Sequence, residues 1–467
     1  MRSRRPKIKS DYSRSAIAKR WVFLLLPTRL SVFLFRTFID NNRERNTLEA
    51  AKFLVDTANI YPSKLFRLQP KFLRFSLALG DSNLPKVYIK FLSRSLLTTR
   101  KDSLKRRTIR DSVLATTKLL DHSITSAHSW KMISLALSGF GFVRAGTIAR
   151  DNCLKRACEE VYAGVATNRT LHLAIKGLLE ARRFDEAKRL YQALSSLNNT
   201  EKLVYENYIS LMRQTKSFIT KSDESATSLA EVIFKELIHS RRIAIVAPGK
   251  ISSNSGVSID SCDTVVRIKY YGKSSLQPTV FGGSRCDITS HNSDVFEAAV
   301  NNFSESEKIF GEVPDLKLVV SKRKGIKTKL NVPIKEMSSW PPTFLTTGTS
   351  GTLMIWNVLI EHPQKIFLAG FNFYTDRGGY NLQLLNLFKS SSTPGFIPGE
   401  LHWKNGNLSQ TSLARNHIAH NLRSDFLFVK NLYELSGLID GTPEVLEILN
   451  LTADEYDMRL EEMLGDW

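Results

Sequence analysis

Near residue 229 the hydrophobic pattern of this 467-residue chain changes its period, and no other feature narrows the possible folds as far. Upstream, over 48–215, apolar residues recur three and four apart, proline is sparse and strand-like alternation is absent, which predicts helices. Three segments there share a loose helix–turn–helix pattern: LALGDSNLPKVYIKFL from Leu77, LALSGFGFVRAGTIA from Leu135 and GLLEARRFDEAKRLYQAL from Gly177. They resemble degenerate repeats of the tetratricopeptide kind, with an irregular helical domain as the alternative. A polar stretch over 214–228 reads as a linker.

Beyond the linker, a short helix is expected over Leu229–His239. Short apolar runs follow at 243–247, 263–268, 316–321, 365–373 and 425–430, and helical segments are expected at 350–362 and 409–422. Strands alternating with helices predict an α/β domain on a mainly parallel, Rossmann-like sheet over 229–440, preceded by an all-α domain over 48–228. In such sheets ligands sit at the carboxyl ends of the strands. Residues 441–467 read as an acidic helical tail.

Charge divides the chain in the same way. Residues 1–110 carry 26 lysines and arginines against 7 aspartates and glutamates, an excess of 19. The whole chain has a net charge of +21, so the remainder is nearly neutral. The stretch 440–467 reverses the sign, with nine acidic residues against one arginine. A local basic surface fits an anionic partner. The basic segment 1–47 contains an apolar run, Trp21–Phe35, interrupted by Pro27 and Arg29. It is shorter than the ~20 apolar residues of a bilayer-spanning helix, and no small-residue cleavage site follows it. A Trp/Phe/Leu segment flanked by basic residues suits an interfacial anchor, formed by residues 1–45, on an anionic membrane surface. A core helix is the alternative. Nucleic acid is not expected, because the basic region has no aromatic interleaving on a recognisable module. The four cysteines form no Cys-x-x-Cys pair and no disulfide framework, and they point to a reducing compartment.

Four segments could carry chemistry. The loop after the first expected strand, APGKISSNSG (247–256), offers Gly249 for close backbone approach and Lys250 as a point charge for a phosphate. An ordinary turn is the alternative. TTGTSGTLM (346–354) places Thr349, Ser350 and Gly351 where a helix begins, which suits either an anion site or simple N-capping. GFNFYTDRGGY (370–380) follows a strand and supplies Gly370, Asn372, Tyr374 and Tyr380. The phenols could donate to a phosphate or could be core aromatics. LHWKNGN (401–407) sets His402 in a polar loop, a suitable place for a general base. No metal box, Asp-x-Asp pair or nucleophile elbow is present.

Together these segments resemble the bacterial sialyltransferases of glycosyltransferase family 42, related to the sialyl-motif transferases of family 29. The resemblance runs from about Ile243 to Leu438. Its densest part is TSGTLMIWNVLIEHPQKIFLAGFNFY (349–374), with a second tyrosine six residues after Tyr374. SIDSCDTVVRI (258–268) is similar to the family's Asp-x-x-x-Arg strand, SHNSDVF (290–296) to its donor-contacting loop, and HWKN (402–405) to the segment holding its base. The chain departs from the family at Pro248-Gly249-Lys250, Lys269, Thr347 and Asn372.

The resemblance implies a variant of the GT-A-like transferase fold. It implies inverting transfer of sialic acid from CMP-sialic acid to a glycan or glycolipid hydroxyl. His402 would be the base. Tyr374, Tyr380, Thr349, Ser350 and Lys250 would serve the departing phosphate, and Gly249, Asn292, Gly351, Gly370 and Asn372 the rest of the donor. No cofactor or obligatory metal is implied. Another CMP-activated ulosonic acid of Kdo type is an alternative donor, and a degenerate transferase fold used as a scaffold is a further alternative. The implied location is the cytoplasmic face of a membrane, or a Golgi-type membrane in a eukaryotic source.

Overall fold

The structure is a computed structural model. It describes residues 103–193, 199–213, 228–291, 316–321, 332–337, 348–376 and 420–464, apart from single positions within them, with isolated residues elsewhere. The basic segment 1–47, the first repeat-like segment, most of the linker and nearly all of the expected helix 409–422 lie outside the described residues.

Among the described residues, six helices precede the sheet: α1 (Ser103–Lys118), α2 (Ala127–Gly139), α3 (Val143–Tyr162), α4 (Asn168–Glu180), α5 (Phe184–Ala193) and α6 (Asn199–Met212). The helix–turn–helix segments expected from Leu135 and Gly177 are present as α2–α3 and α4–α5. Helix α3 is the hub. Its Ala145, Ala149, Cys153 and Ala157 form a small-residue stripe buried against Trp130, Ile133, Leu137, Leu173 and Ala174. Small side chains let neighbouring helices approach closely. A methyl group on Gly146 would lie 2.4 Å from Ser138 Oγ. The helix ends follow ordinary capping chemistry, as where Thr167 accepts from the Thr170 amide at the start of α4.

The α/β part opens with α7 (Leu229–Ile238), which carries a reciprocal capping box between Ser228 and Glu231. Among the described residues seven parallel strands follow: β1 (Arg242–Val246), β2 (Thr264–Ile268), β3 (Ile288–His291), β4 (Leu318–Ser321), β5 (Ile334–Glu336), β6 (Lys365–Ala369) and β7 (Ile439–Gly441). Their order is β5-β4-β3-β2-β1-β6-β7. Every residue of β2, β3 and β4 is buried, as expected of a parallel sheet covered on both faces. Between the strands lie α8 (Gly256–Asp260), α9 (Thr279–Gly282) and α10 (Ser350–Leu359), and the chain closes with α11 (Leu422–Ser436), α12 (Pro443–Leu449) and α13 (Ala453–Leu464). Residues 352–359 of α10 are all buried, in keeping with a helix that is apolar all round.

One expected strand is a helix. The run 425–430 lies inside α11, which starts at the Asn421 cap and ends at Gly437 in the left-handed region. Its buried Leu422, Phe426, Val429 and Leu432 recur three and four apart, whereas a short apolar run read alone does not distinguish strand from helix. The acidic stretch is helical over Pro443–Leu449 and Ala453–Leu464 but is no free tail. The chain pairs β7 with β6 immediately before it, and α13 then packs on α3.

The helical and α/β regions belong to one compact unit, Leu54–Trp467. Polar side chains line the seam between them. Arg150 is buried, pairs with Glu180 (2.7 Å) and donates to Ser424 Oγ (3.0 Å). Arg182 donates twice to Asn431 Oδ1 at 2.7 and 3.0 Å. Tyr208 packs against Trp356 and Phe428 with ring centroids 6.3 and 6.2 Å away. Among the described residues no helix is long and apolar enough to cross a membrane. All four cysteines are free thiols.

Candidate functional site

The strand order reverses at one place. From β1 the chain builds outward through β2 to β5, then returns to lay β6 on the other side of β1. Loops leaving β1 and β6 therefore diverge, and a crevice opens at their carboxyl ends, the general ligand position in open α/β sheets.

The β1 side of this crevice is Ala247–Ser255. The ladder continues past the strands, with Ala247 donating to Ala369 (2.8 Å) and Gly249 to Gly370 (3.2 Å). A methyl group on Gly249 would lie 2.3 Å from the Gly370 carbonyl oxygen, so the missing side chain serves strand approach. The Gln277 amide clamps the loop, donating to the Gly249 carbonyl and accepting from the Ile251 amide at 3.1 and 3.0 Å. Lys250 is exposed between these clamped positions.

The β6 side is a tight turn over Gly370–Asp376. Asn372 shapes it: Oδ1 accepts from the Tyr374 amide (3.1 Å), Nδ2 donates to Asp376 (2.9 Å), and the carbonyl accepts from Thr375. Phe373 and Tyr374 both adopt the left-handed conformation, with φ of 45° and 62°. Consecutive non-glycine residues there are strained, and such strain persists only where the surroundings impose it. The turn presents the half-buried Tyr374.

The amino end of α10 completes the site. Thr349 is its N-cap, accepting from the Thr352 amide. Gly351 adjoins the β6 turn, where a methyl group would lie 2.7 Å from the Phe371 ring. The Thr349 amide donates to the buried Asp425 of α11 (3.0 Å).

No protein-family model, curated protein or solved structure matches the chain.

The structure thus brings Gly249, Lys250, Thr349, Ser350, Gly351, Gly370, Asn372 and Tyr374 to one crevice from three separated segments. Asn292, Tyr380 and His402 lie outside the described residues. Asn292 directly follows β3. His402 directly precedes a two-residue antiparallel pair, Trp403–Lys404 with Asn407–Leu408. Several nominated residues have structural duties: Thr349 caps a helix, Asn372 builds a turn, and Gly249 and Gly351 admit neighbouring atoms. Of the others, Lys250 is exposed, Ser350 opens α10 and Tyr374 is half-buried in the β6 turn. An exposed ammonium, a hydroxyl at a helix start and a phenol suit an anionic ligand.

Sequence reasoning missed four groups around the crevice: Gln277, Asp425, Glu444 and Tyr456. None lies in a motif. The one available signal was the charge reversal after residue 440. It also missed His291, which ends β3 and is fully buried with Nε2 2.9 Å from Thr289 Oγ1. Burial, assisted by Lys269, pulls its imidazole down to about 3, so this histidine is neutral and internal. Among the described residues no cluster of three or more His, Cys, Asp or Glu could hold a metal ion.

Proposed function

We propose that this protein is an inverting glycosyltransferase that moves sialic acid from CMP-sialic acid to a hydroxyl of a glycan or glycolipid. The observation that supports it is the convergence of 249–250, 349–351 and 370–374 at the topological switch point. The second and third lie in the stretch 349–374 that carries the densest resemblance to sialyltransferases of family 42, and the first is a point of departure from them where Lys250 adds a positive charge. The donor is a sugar joined to a nucleoside monophosphate. Its phosphate needs a local positive field and hydrogen-bond donors, which Lys250, Ser350 and Tyr374 supply.

In the transfer, the acceptor hydroxyl gives its proton to His402 as its oxygen bonds to the anomeric carbon. The bond from that carbon to the phosphate oxygen breaks, and CMP leaves with the electron pair. Tyr374, with Tyr380, donates to the oxygen where charge develops. The fold belongs in this reading to the GT-A-like variants, and the basic segment 1–45 holds the enzyme at an anionic membrane surface near glycolipid acceptors.

The test is calorimetry and donor turnover with the full chain. CMP and CMP-sialic acid should bind, and UMP should bind at least tenfold more weakly. His402→Ala should abolish transfer and keep CMP affinity. Absence of binding to any CMP-sugar would overturn the proposal. Preference for a Kdo-type donor in competition would reassign the sugar and keep the reaction.

A further inference from the structure

The segment 439–464 touches both walls of the crevice, and it does so with side chains that no motif contains. On the β1 side the Glu444 carboxylate sits in the loop Ser252–Ser253. Its Oε1 accepts from the Ser252 amide (2.9 Å), the Ser252 hydroxyl (2.7 Å) and the Ser253 amide, and its Oε2 accepts from the Ser253 hydroxyl (3.0 Å). Two successive amides aimed at one oxygen form an anion-holding concavity, and here the chain's own carboxylate fills it. Glu444 cannot move away easily. It stands on α12, whose Val445, Ile448 and Leu449 are buried, directly after the sheet strand β7. The loop it holds begins two residues after Lys250.

On the β6 side the acting group is Tyr456. Its ring is fully buried and stacks on Phe426, with centroids 4.1 Å apart and planes 6° from parallel. Its hydroxyl reaches the carbonyls of Phe373 (2.9 Å) and Leu422 (3.2 Å). Phe373 is the first of the two left-handed residues that present Tyr374. Leu422 opens α11, and Asp425, three residues on, accepts the Thr349 amide at the start of α10. One buried phenol thus joins the β6 turn to the helix that holds the third wall. The other end of α13 is fixed to the helical region, where Glu461 accepts from the Arg144 amide (2.7 Å) and side chain.

We propose that 439–464 is a brace that sets the geometry of the crevice, with Glu444 and Tyr456 as its positioning residues. The brace uses three of the nine acidic residues of 440–467. Glu444, Asp457 and Glu461 are consumed internally, on the serine loop, on Arg423 and on Arg144. Neither positioning residue contacts the ligand. The inference rests on the crevice being the CMP site, but its geometric part is measured without CMP.

The experiment uses hydrogen exchange and CMP calorimetry on the full chain. In Glu444→Ala, the amides of peptide 250–256 should exchange at least tenfold faster than in the parent. CMP affinity should fall about tenfold, the equivalent of one ordinary hydrogen bond or slightly more. Sodium acetate, with sodium chloride at equal ionic strength as control, should restore both, because acetate refills the vacated loop. A purely structural glutamate would show no acetate rescue. In Tyr456→Phe, which keeps the stacked ring, exchange should rise in peptide 371–376, and CMP affinity should again fall about tenfold with the far-ultraviolet spectrum unchanged. If Glu444→Ala does not fold, Glu444→Gln and Tyr456→Phe carry the same measurements. Unchanged exchange in both loops overturns the brace. Altered exchange with no CMP binding by the parent protein overturns the CMP reading and leaves the brace standing.

Discussion

Gly370 and Gly437 have nearly the same positive φ, 69° and 63°, and opposite surroundings. A methyl group on Gly437, just past α11, meets nothing within 4 Å. On Gly370 it would lie 2.4 Å from the Ala247 carbonyl oxygen and 3.1 Å from that of Gly249. Alanine at either position carries the left-handed penalty of about 1–2 kcal/mol. At Gly437 that is the whole cost. At Gly370 the Ala247 oxygen must also retreat by about an ångström, and the ladder bond from Ala247 to Ala369 (2.8 Å) lies at the same point. Overpacking of this kind adds about 1–3 kcal/mol, so Gly370→Ala should destabilise by about 2–5 kcal/mol and Gly437→Ala by about 1–2. Urea unfolding followed by circular dichroism reads the difference as a lower midpoint for Gly370→Ala. That variant should also lose affinity for CMP, because the β1 and β6 walls are forced apart, while Gly437→Ala keeps it. Equal losses of stability in the two variants would refute the claim that strand approach, and not φ alone, requires glycine at 370.

Thr349→Ala removes the cap of α10 and should cost about 1 kcal/mol in urea unfolding, with Thr349→Ser recovering most of it. Arg150→Met leaves Glu180 as a largely buried carboxylate without its guanidinium and should destabilise by about 3 kcal/mol; Arg150→Met with Glu180→Leu should regain much of that loss. Burial pushes the Glu444 carboxyl up, but bonds from Ser252, its own amide, Thr442 and Ser253 outweigh this and bring it down to about 2. A carboxyl lowered on folding contributes stability that is present above its unfolded value near 4.5 and lost as the pH falls toward 2. After allowance for solvent screening at this partly exposed site, that contribution is about 1–2 kcal/mol. The stability difference between the parent protein and Glu444→Gln, measured from pH 6 to pH 2, should therefore shrink on acidification; a constant difference would remove the ionised carboxylate as its source.

Local features were legible where backbone geometry alone writes them into the residue order. The β-branched run at Ile243–Val246 became β1, and the mostly apolar TLMIWNVL became a helix buried on every side. The turns at Gly139–Phe142 and Arg182–Phe184 lay where small and polar residues broke the helical period. Strands β3, β5 and β7 were not legible. They are three or four residues long and read ITSH, IKE and IDG, too short and too polar for periodicity to register. Phe426–Val429 misled for the complementary reason, since four apolar-rich positions fit a buried strand and one side of a helix equally well.

For the crevice, residue types marked three of its segments in advance: glycine after two strands, hydroxyls before a helix, and phenols beside a strand end. Their meeting depends on strand order, which sets β6 beside β1 although 119 residues separate Val246 from Lys365. That order is settled by the burial of entire faces, and no local window contains it. The same holds for Asp425, Glu444 and Tyr456, whose value lies in the backbone groups they reach 76, 191 and 83 residues away. The sequence by itself determined β1, β2, β4, β6 and the buried helix α10, the parallel α/β class and the chemistry available at the strand ends. The tertiary structure alone decided that the acidic C-terminal segment is a brace, because a carboxylate becomes a fastener only when folding places unpaired donors around it.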